Sequence, residues 1–281
     1  MRNQFFIKTL NNRSQYSGYL VLGLFVILFS FPFTGSSKKL TSTENKQPNI
    51  VIIVPDDLGW ADIRFHGSFI KTPNIDRLAE QGMRFTQFYS GSPVCAPSRS
   101  VLMTGKHTGH TFIRDNKEIG TWESFNGQLP LPDNTTTLAE LLKSRGYTTA
   151  AIGKWGLGYP GSSGDPNKQG FDLFFGYNCQ RHAHNYYPEF LWKNDSKIDL
   201  EGNTRGITGK HYAPDLMEEE ALNFISENHQ LPFFLYFATT IPHAPSEAAR
   251  SWNANPRITA RGYLEEAPDV LPPRESIESR L

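Results

Sequence analysis

The chain has 281 residues, 38% of them hydrophobic and 20% charged, with 28 Lys+Arg set against 28 Asp+Glu. That length allows one large domain or two small ones with a sizeable core. The balanced charge gives no global field of the kind that draws a protein to nucleic acid or to an acidic polymer, so no nucleic-acid partner is expected.

Arg2, Lys8 and Arg13 precede any acidic residue, Tyr19 to Phe33 is almost wholly apolar, and Thr34, Gly35, Ser36 and Ser37 follow. This order reads as a secretory signal peptide over residues 1–36, or as an uncleaved N-terminal membrane anchor. The apolar run is short for a span and holds no Cys, which excludes lipoprotein modification there. The expected location is therefore periplasmic or extracellular, an oxidising setting in which Cys95 and Cys179 have the option of pairing. Residues 37–47 are polar and read as a linker.

Asn49 to Val54 is a continuous apolar run predicted to be a strand buried on both faces. It stops at Pro55-Asp56-Asp57-Leu58-Gly59, and loops just past parallel strands are where open sheets place ligands. Two adjacent carboxylates repel unless a cation lies between them, and paired oxygens suit Ca²⁺ or Mg²⁺. The plain alternative is an exposed acidic turn. Thr72-Pro73 opens a predicted helix closed by Gly82, and Met83 to Tyr89 alternates in the manner of a strand.

Cys95, Pro97 and Arg99 stand at C-x-P-x-R spacing at the start of a predicted helix that Gly105 ends. Cys95 would meet outward-pointing backbone N–H groups, with Arg99 one turn on as a fixed cation. That describes a nucleophile beside an anion site. The alternative is a structural thiol, or half of a disulfide with Cys179. Lys106 to Arg114 is a basic loop without an assigned role, in which His107 and His110 read as surface residues.

Thr137-x-x-Glu140 is a capping box opening a helix that runs to Gly146. Tyr147 to Ile152 is the next strand, with Lys154 just beyond it, and Gly161 to Gly170 is loop. Gln180 to Pro188, which includes His182 and His184, reads equally as a pocket wall and as an amphipathic surface loop. Likewise Tyr186, Tyr187 and Trp192 form either a sugar-stacking wall or a core cluster. Pro214 to Glu227 is helical in pattern. Phe233 to Ala238 is a third buried strand, followed by Ile241-Pro242-His243-Ala244-Pro245. Three buried runs thus deliver Asp56 and Asp57, Lys154 and His243 to the same sheet edge. There is no internal repeat and no phosphate-binding loop of the Walker type.

On these residues the chain resembles the sulfatase family, of the arylsulfatase-like type that converts an active-site cysteine to formylglycine. Cys95-Ala96-Pro97-Ser98-Arg99 with Gly105 matches the modification motif. Pro48-Asn49-Ile50-Val51 with Asp56-Asp57-Leu58-Gly59 matches the opening strand and metal carboxylates. Gly146-Tyr147 with Thr149 and Gly153-Lys154-Trp155 matches a second signature, and Ile241 to Pro245 matches a histidine segment. The resemblance implies an α/β fold with a mainly parallel sheet sandwiched by helices, alkaline-phosphatase-like, over a catalytic domain at 48–245.

It further implies that a formylglycine-generating enzyme matures Cys95, whose aldehyde hydrate attacks the sulfur of an aryl or carbohydrate sulfate ester. Asp56, Asp57 and residue 95 would hold Ca²⁺, or Mg²⁺. Arg99 would orient the hydrate, and Lys154 and His243 would bind sulfate oxygens and support the leaving group. The alternatives are a phosphate or phosphonate ester hydrolase of the same fold and an inactive fragment. Gly156 stands where the family commonly has His, and His182 or His184 is expected to fill that space and touch substrate, His184 for preference. The family's later Asp-Asn metal pair does not follow His243, and residues 246–281 form a divergent Arg-, Pro- and Glu-rich tail. The expectation there is a truncation, a frameshifted gene end or a short paralogue.

Overall fold

The computed structural model describes residues 47–119 and 127–244. The expected signal or anchor, all but the last residue of the linker, Pro245 and the divergent tail lie outside the described residues. In chain order the elements are β1 (Ile50–Ile53), α1 (Pro73–Gln81), α2 (Cys95–Thr104), β2 (Glu118–Ile119), β3 (Gly127–Gln128), α3 (Leu138–Lys143), β4 (Thr148–Lys154), β5 (Leu173–Tyr177), β6 (Phe190–Lys193), β7 (Ser196–Asp199), α4 (Ala213–Asn228) and β8 (Phe233–Ala238). Short 3-10 turns lie at Trp60–Asp62, Arg64–His66 and His182–His184. Among the described residues no helix is long and apolar enough to cross a membrane.

One six-stranded sheet has the order β1-β8-β4-β5-β6-β7. Its first four strands run parallel, and β6 and β7 are antiparallel. Alternation along β8 explains the layering, because successive side chains leave opposite faces of a sheet. Phe234 and Tyr236 join Phe171, Phe174 and Trp155 beneath Ala96 and Met103 of α2 and Ala139 of α3. Phe233 and Leu235 join Ala150 and Ile152 against Met217, Ala221 and Phe224 of α4. The helices therefore lie on both faces of a mainly parallel sheet, as the resemblance implies.

Most predicted elements are present at or near their expected bounds. The α3 capping box is complete: Glu140 N–H donates to Thr137 Oγ1 at 3.2 Å, and Thr137 N–H donates to Glu140 Oε2 at 2.7 Å. At α1, Thr72 spends its hydroxyl elsewhere, accepting from Arg64 N–H and donating to Asp76 Oδ1, both at 3.0 Å.

Three expectations need correction. The first strand is not buried on both faces: β1 is an edge of the sheet among the described residues, and Ile53 is 40% exposed. Met83 to Tyr89 forms no strand, because alternation alone makes none without a pairing partner; Met83, Phe85, Phe88 and Tyr89 are exposed. Strand β4 runs two residues past the expected end at Ile152, so Lys154 is its last residue rather than one just beyond it. Strands β5, β6 and β7 carry no sequence prediction. β7 is exposed along its whole length, so it shows no apolar period, and it is fixed by a tight hairpin with Asn194 at φ 55°.

Candidate active site

The C-terminal ends of β1, β4 and β8 lie side by side because those strands are parallel neighbours. Beyond β1, Asp56 N–H is shared between Thr239 O and Ile241 O at 3.2 Å each, which locks the loop after β1 to the loop after β8. Asp56 faces two cations. Lys154 Nζ, from the end of β4, lies 2.6 Å from its Oδ2, and Arg99 Nη2, from α2, lies 3.1 Å from its Oδ1. Arg99 also donates to Lys154 O at 2.7 Å and to Tyr236 Oη at 3.1 Å. All four side chains are buried.

Burial works against a charged Asp56, yet Lys154 and Arg99 overcome it and hold the carboxyl at about 2. Burial likewise opposes the Arg99 charge, and Tyr236, Asp56 and Cys95 outweigh it, so the guanidinium stays protonated. One carboxylate against two cations leaves the buried cluster with a net positive charge. Such a cluster is completed by an anion.

His184 and His243 lie stacked over this cluster, with ring centroids 4.1 Å apart and planes 13° from parallel. His184 Nε2 is 3.3 Å from Lys154 Nζ. Burial first, then Lys154 and His243, push its pKa down to about 3, so it is neutral and accepts from the ammonium. His243 Nε2 is 3.3 Å from Asp57 Oδ2, and its Nδ1 donates to Ala244 O at 2.6 Å.

His182, expected to share the substrate-binding role, does not reach the cluster. It is fully buried between the rings of Tyr177 (4.9 Å) and Phe190 (4.5 Å). The segment bearing both histidines is thus no surface loop. Tyr186 is buried there and donates its hydroxyl to His243 O, pinning the chain after β8. Trp192 packs on core residues.

The space at Gly156 is already occupied. With φ at 74°, a Cβ there would fall 1.5 Å from Gln180 Nε2, so Gln180 fills the slot in which a side chain at 156 would project. The three atoms nearest to a Cβ at 156 all belong to Gln180, and His184 lies beside Lys154.

Cys95 is the first residue of α2, and both cysteines are free thiols, which removes the disulfide alternative. Cys179 is buried, with Sγ 3.8 Å from Glu118 Oε1, and burial raises its pKa. The helix end is a poorer anion site than its sequence suggests. Pro97 has no N–H, and Ala96 N–H donates to Asn116 Oδ1 at 2.9 Å. Ser98 N–H already bonds Val94 O. The positive charge in the cleft beside Cys95 comes instead from Arg99.

Asn116 and Tyr236 join the site without a sequence prediction for either. Asn116 carries no local signal. Tyr236 is the one hydroxyl in the otherwise apolar Phe233–Ala238 run, and that anomaly marks it.

Cys95 opens into a cleft of about 260 Å³ lined by Asp56, Asp57, Ser92, Cys95, Ser98 and Arg99 among others. Asp57 sits on left-handed backbone (φ 59°), a strained conformation for a non-glycine residue, and its carboxylate is mostly exposed. One donor atom each from Asp56, Asp57 and Cys95 lies within 4.8 Å of the others, so the three fit one side of a divalent-cation shell. Two carboxylates offer at most four of the six to eight oxygens that Ca²⁺ takes. The described residues therefore form half a shell.

A family model described as Sulfatase matches residues 48–264. N-acetylgalactosamine-6-sulfatase of Mus musculus is 37% identical over 221 residues, covering 73% of this chain and 42% of that protein. Arylsulfatase G of Mus musculus is 33% identical over 261 residues, 81% of this chain and 46% of that protein. Among solved structures, Ps i-CgsB superposes with a TM-score of 0.58 at 32% identity, covering 71% of this chain and 46% of the other. BT4656 in complex with its substrate D-glucosamine-2-N,6-O-disulfate gives 0.56 at 28% identity, covering 75% and 38%. The chain thus spans less than half the length of each of these four proteins.

Proposed function

This chain belongs to the sulfatase family, with its alkaline-phosphatase-like fold, and from that premise we propose that it hydrolyses sulfate esters of carbohydrates at residue 95. The observation that carries the proposal is the buried, net-cationic Asp56–Arg99–Lys154 cluster against which Cys95 opens. A sulfate ester brings the missing negative charge.

Cys95, matured to formylglycine by a generating enzyme, supplies an aldehyde hydrate as oxygen nucleophile. A divalent cation on Asp56, Asp57 and residue 95, Ca²⁺ in preference to Mg²⁺, supplies added positive charge at the sulfate. The other tasks fall to the chain's own side chains. Arg99 is held by Tyr236, Asp56 and Lys154 O, so its guanidinium is fixed before substrate arrives and needs no reorganisation. Lys154 turns one N–H to Asp56 and faces neutral His184, and a further N–H remains for a sulfate oxygen. His184, neutral at pH 7, orients that ammonium and is not the proton donor. We assign the leaving-group proton to His243, stacked on His184 beside Asp57.

The carbohydrate class rests on the names of the relatives, which act on N-acetylgalactosamine 6-sulfate or bind a disulfated glucosamine. Export is part of the proposal and rests on the pattern of residues 1–36.

The test is mass spectrometry of the Cys95 peptide after co-expression with a formylglycine-generating enzyme, paired with sulfate release from N-acetylgalactosamine 6-sulfate. Loss of the thiol for an aldehyde together with sulfate release is the expected result. An unmodified Cys95, or faster turnover of an aryl phosphate than of an aryl sulfate, would overturn the reading.

A further inference from the structure

The basic loop after α2 is absorbed by none of the chemistry above. At Gly105 the chain leaves the helix, with Gly105 N–H bonded to Val101 O, and turns back. Ser100 then meets Thr111, and Ala96 meets Asn116. Rising numbers on the loop oppose falling numbers on the helix, so residues 106–117 form a strap running antiparallel to α2. The strap spans the ten-residue helix, about 15 Å, and ends beside Cys95. It is also tied to the cleft wall, because Thr108 Oγ1 donates to Gly91 O, between the lining residues Ser90 and Ser92.

The strap has an inner and an outer side. Thr111 and Ile113 are buried, Ile113 in the main core. Lys106, His107, His110, Phe112, Arg114 and Lys117 are exposed, Phe112 at 55%. Among the described residues no carboxylate pairs with Lys106, Arg114 or Lys117. Asp115 turns its Oδ1 back onto Lys117 N–H at 3.1 Å, and Glu118 is taken by Arg181 at 3.2 Å. Arg114 is fixed on neutral carbonyls, donating from Nε to Thr111 O at 3.1 Å and from Nη2 to Gly109 O at 2.9 Å. Its charge is held in place and, among the described residues, left without a counter-ion of its own.

We propose that the 106–117 strap is a cationic exosite that holds an extended sulfated polysaccharide along α2 and leads one sulfate to residue 95. The charges supply attraction at spaced points, the preset Arg114 loses little freedom on binding, and Phe112 offers an apolar face to a sugar ring. The choice of a glycan as the polyanion rests on the sulfatase reading; the strap's binding of polyanion does not.

The experiment measures anisotropy of a fluorescein-labelled heparin dodecasaccharide with the full 281-residue chain at two salt concentrations. Lys106→Ala/Arg114→Ala/Lys117→Ala is expected to weaken binding about tenfold and to flatten its salt dependence. Lys106→Arg/Lys117→Arg retains it. Lys143→Ala/Lys193→Ala/Lys197→Ala, which removes equal charge from ion-paired surface sites, also retains it. A strap variant no weaker than that control overturns the proposal. So does single-stranded DNA that binds as tightly as heparin and weakens by the same factor. Sulfate release from N-acetylgalactosamine 6-sulfate, measured alongside, separates the two readings. Strap-dependent heparin binding without release sinks the sulfatase reading alone, and release without strap dependence sinks the exosite alone.

Discussion

At the scale of single residues, Asp56 is the centre of the site, because Lys154 and Arg99 both depend on it. Replacing Asp56 with Asn leaves two buried cations facing a neutral amide, and a loss of about 3–5 kcal/mol is expected from urea unfolding. Lys154→Met leaves the Arg99–Asp56 pair balanced and is expected to cost below about 1.5 kcal/mol, while sulfate affinity falls at least about tenfold. Equal destabilisation by the two variants would contradict a net-cationic cluster. His182 makes a second prediction. Burial first, then Arg205 and Lys197, lower its pKa to about 3 from 6.5. The unfolded chain therefore takes up a proton between pH 6.5 and 3 that the folded chain refuses, so stability is full above pH 6.5 and falls as pH drops through that window. His184 adds a loss of the same sign. His182→Phe keeps a ring between Tyr177 and Phe190, and should lose less stability from pH 7 to pH 5 than the parent chain does.

At the scale of elements, the close approach of β4 to its neighbours fixes where Lys154 emerges. Gly153 has φ 112°, and a Cβ on it would lie 2.0 Å from Ala238 O of β8. Gly176 stands opposite it on β5 in register. Gly153→Ala therefore forces β4 and β8 apart one residue before Lys154. The expected cost is about 3 kcal/mol or more, read as a lower urea midpoint at unchanged m-value. A change below about 1 kcal/mol would show that the strands can separate without strain. The sequence marks this region well, since a strand ending in Gly-Lys-Trp-Gly is legible from its run of small and apolar residues. It does not mark β6 and β7, which pair through a hairpin, β7 with no buried residue.

For the molecule as a whole, the described residues provide one side of a cation shell, and Asp56 is already engaged by two positive side chains. Calorimetric titration of the 281-residue chain should accordingly give a Ca²⁺ Kd no tighter than about 10⁻⁴ M. A micromolar value would mean that further oxygen ligands join the site. The α/β arrangement is what the resemblance to sulfatases implies, whereas the helix starts and the delivery of Asp56, Asp57, Lys154 and His243 to one edge are legible in the chain's own residues. Those features follow from local periodicity, and parallel strands place all their C-terminal loops on the same side whatever their order. Long-range packing places β8 between β1 and β4, which brings Lys154 onto an Asp56 that is 98 residues away. It also decided that His184 joins the cluster while His182, two positions earlier in the same 3-10 turn, enters the core. It assigned the slot at Gly156 to Gln180, and the helix-end N–H of Ala96 to Asn116. Each of these is a contact between distant segments, and nothing in the local sequence fixes which of several chemically suitable partners the chain will bring within reach.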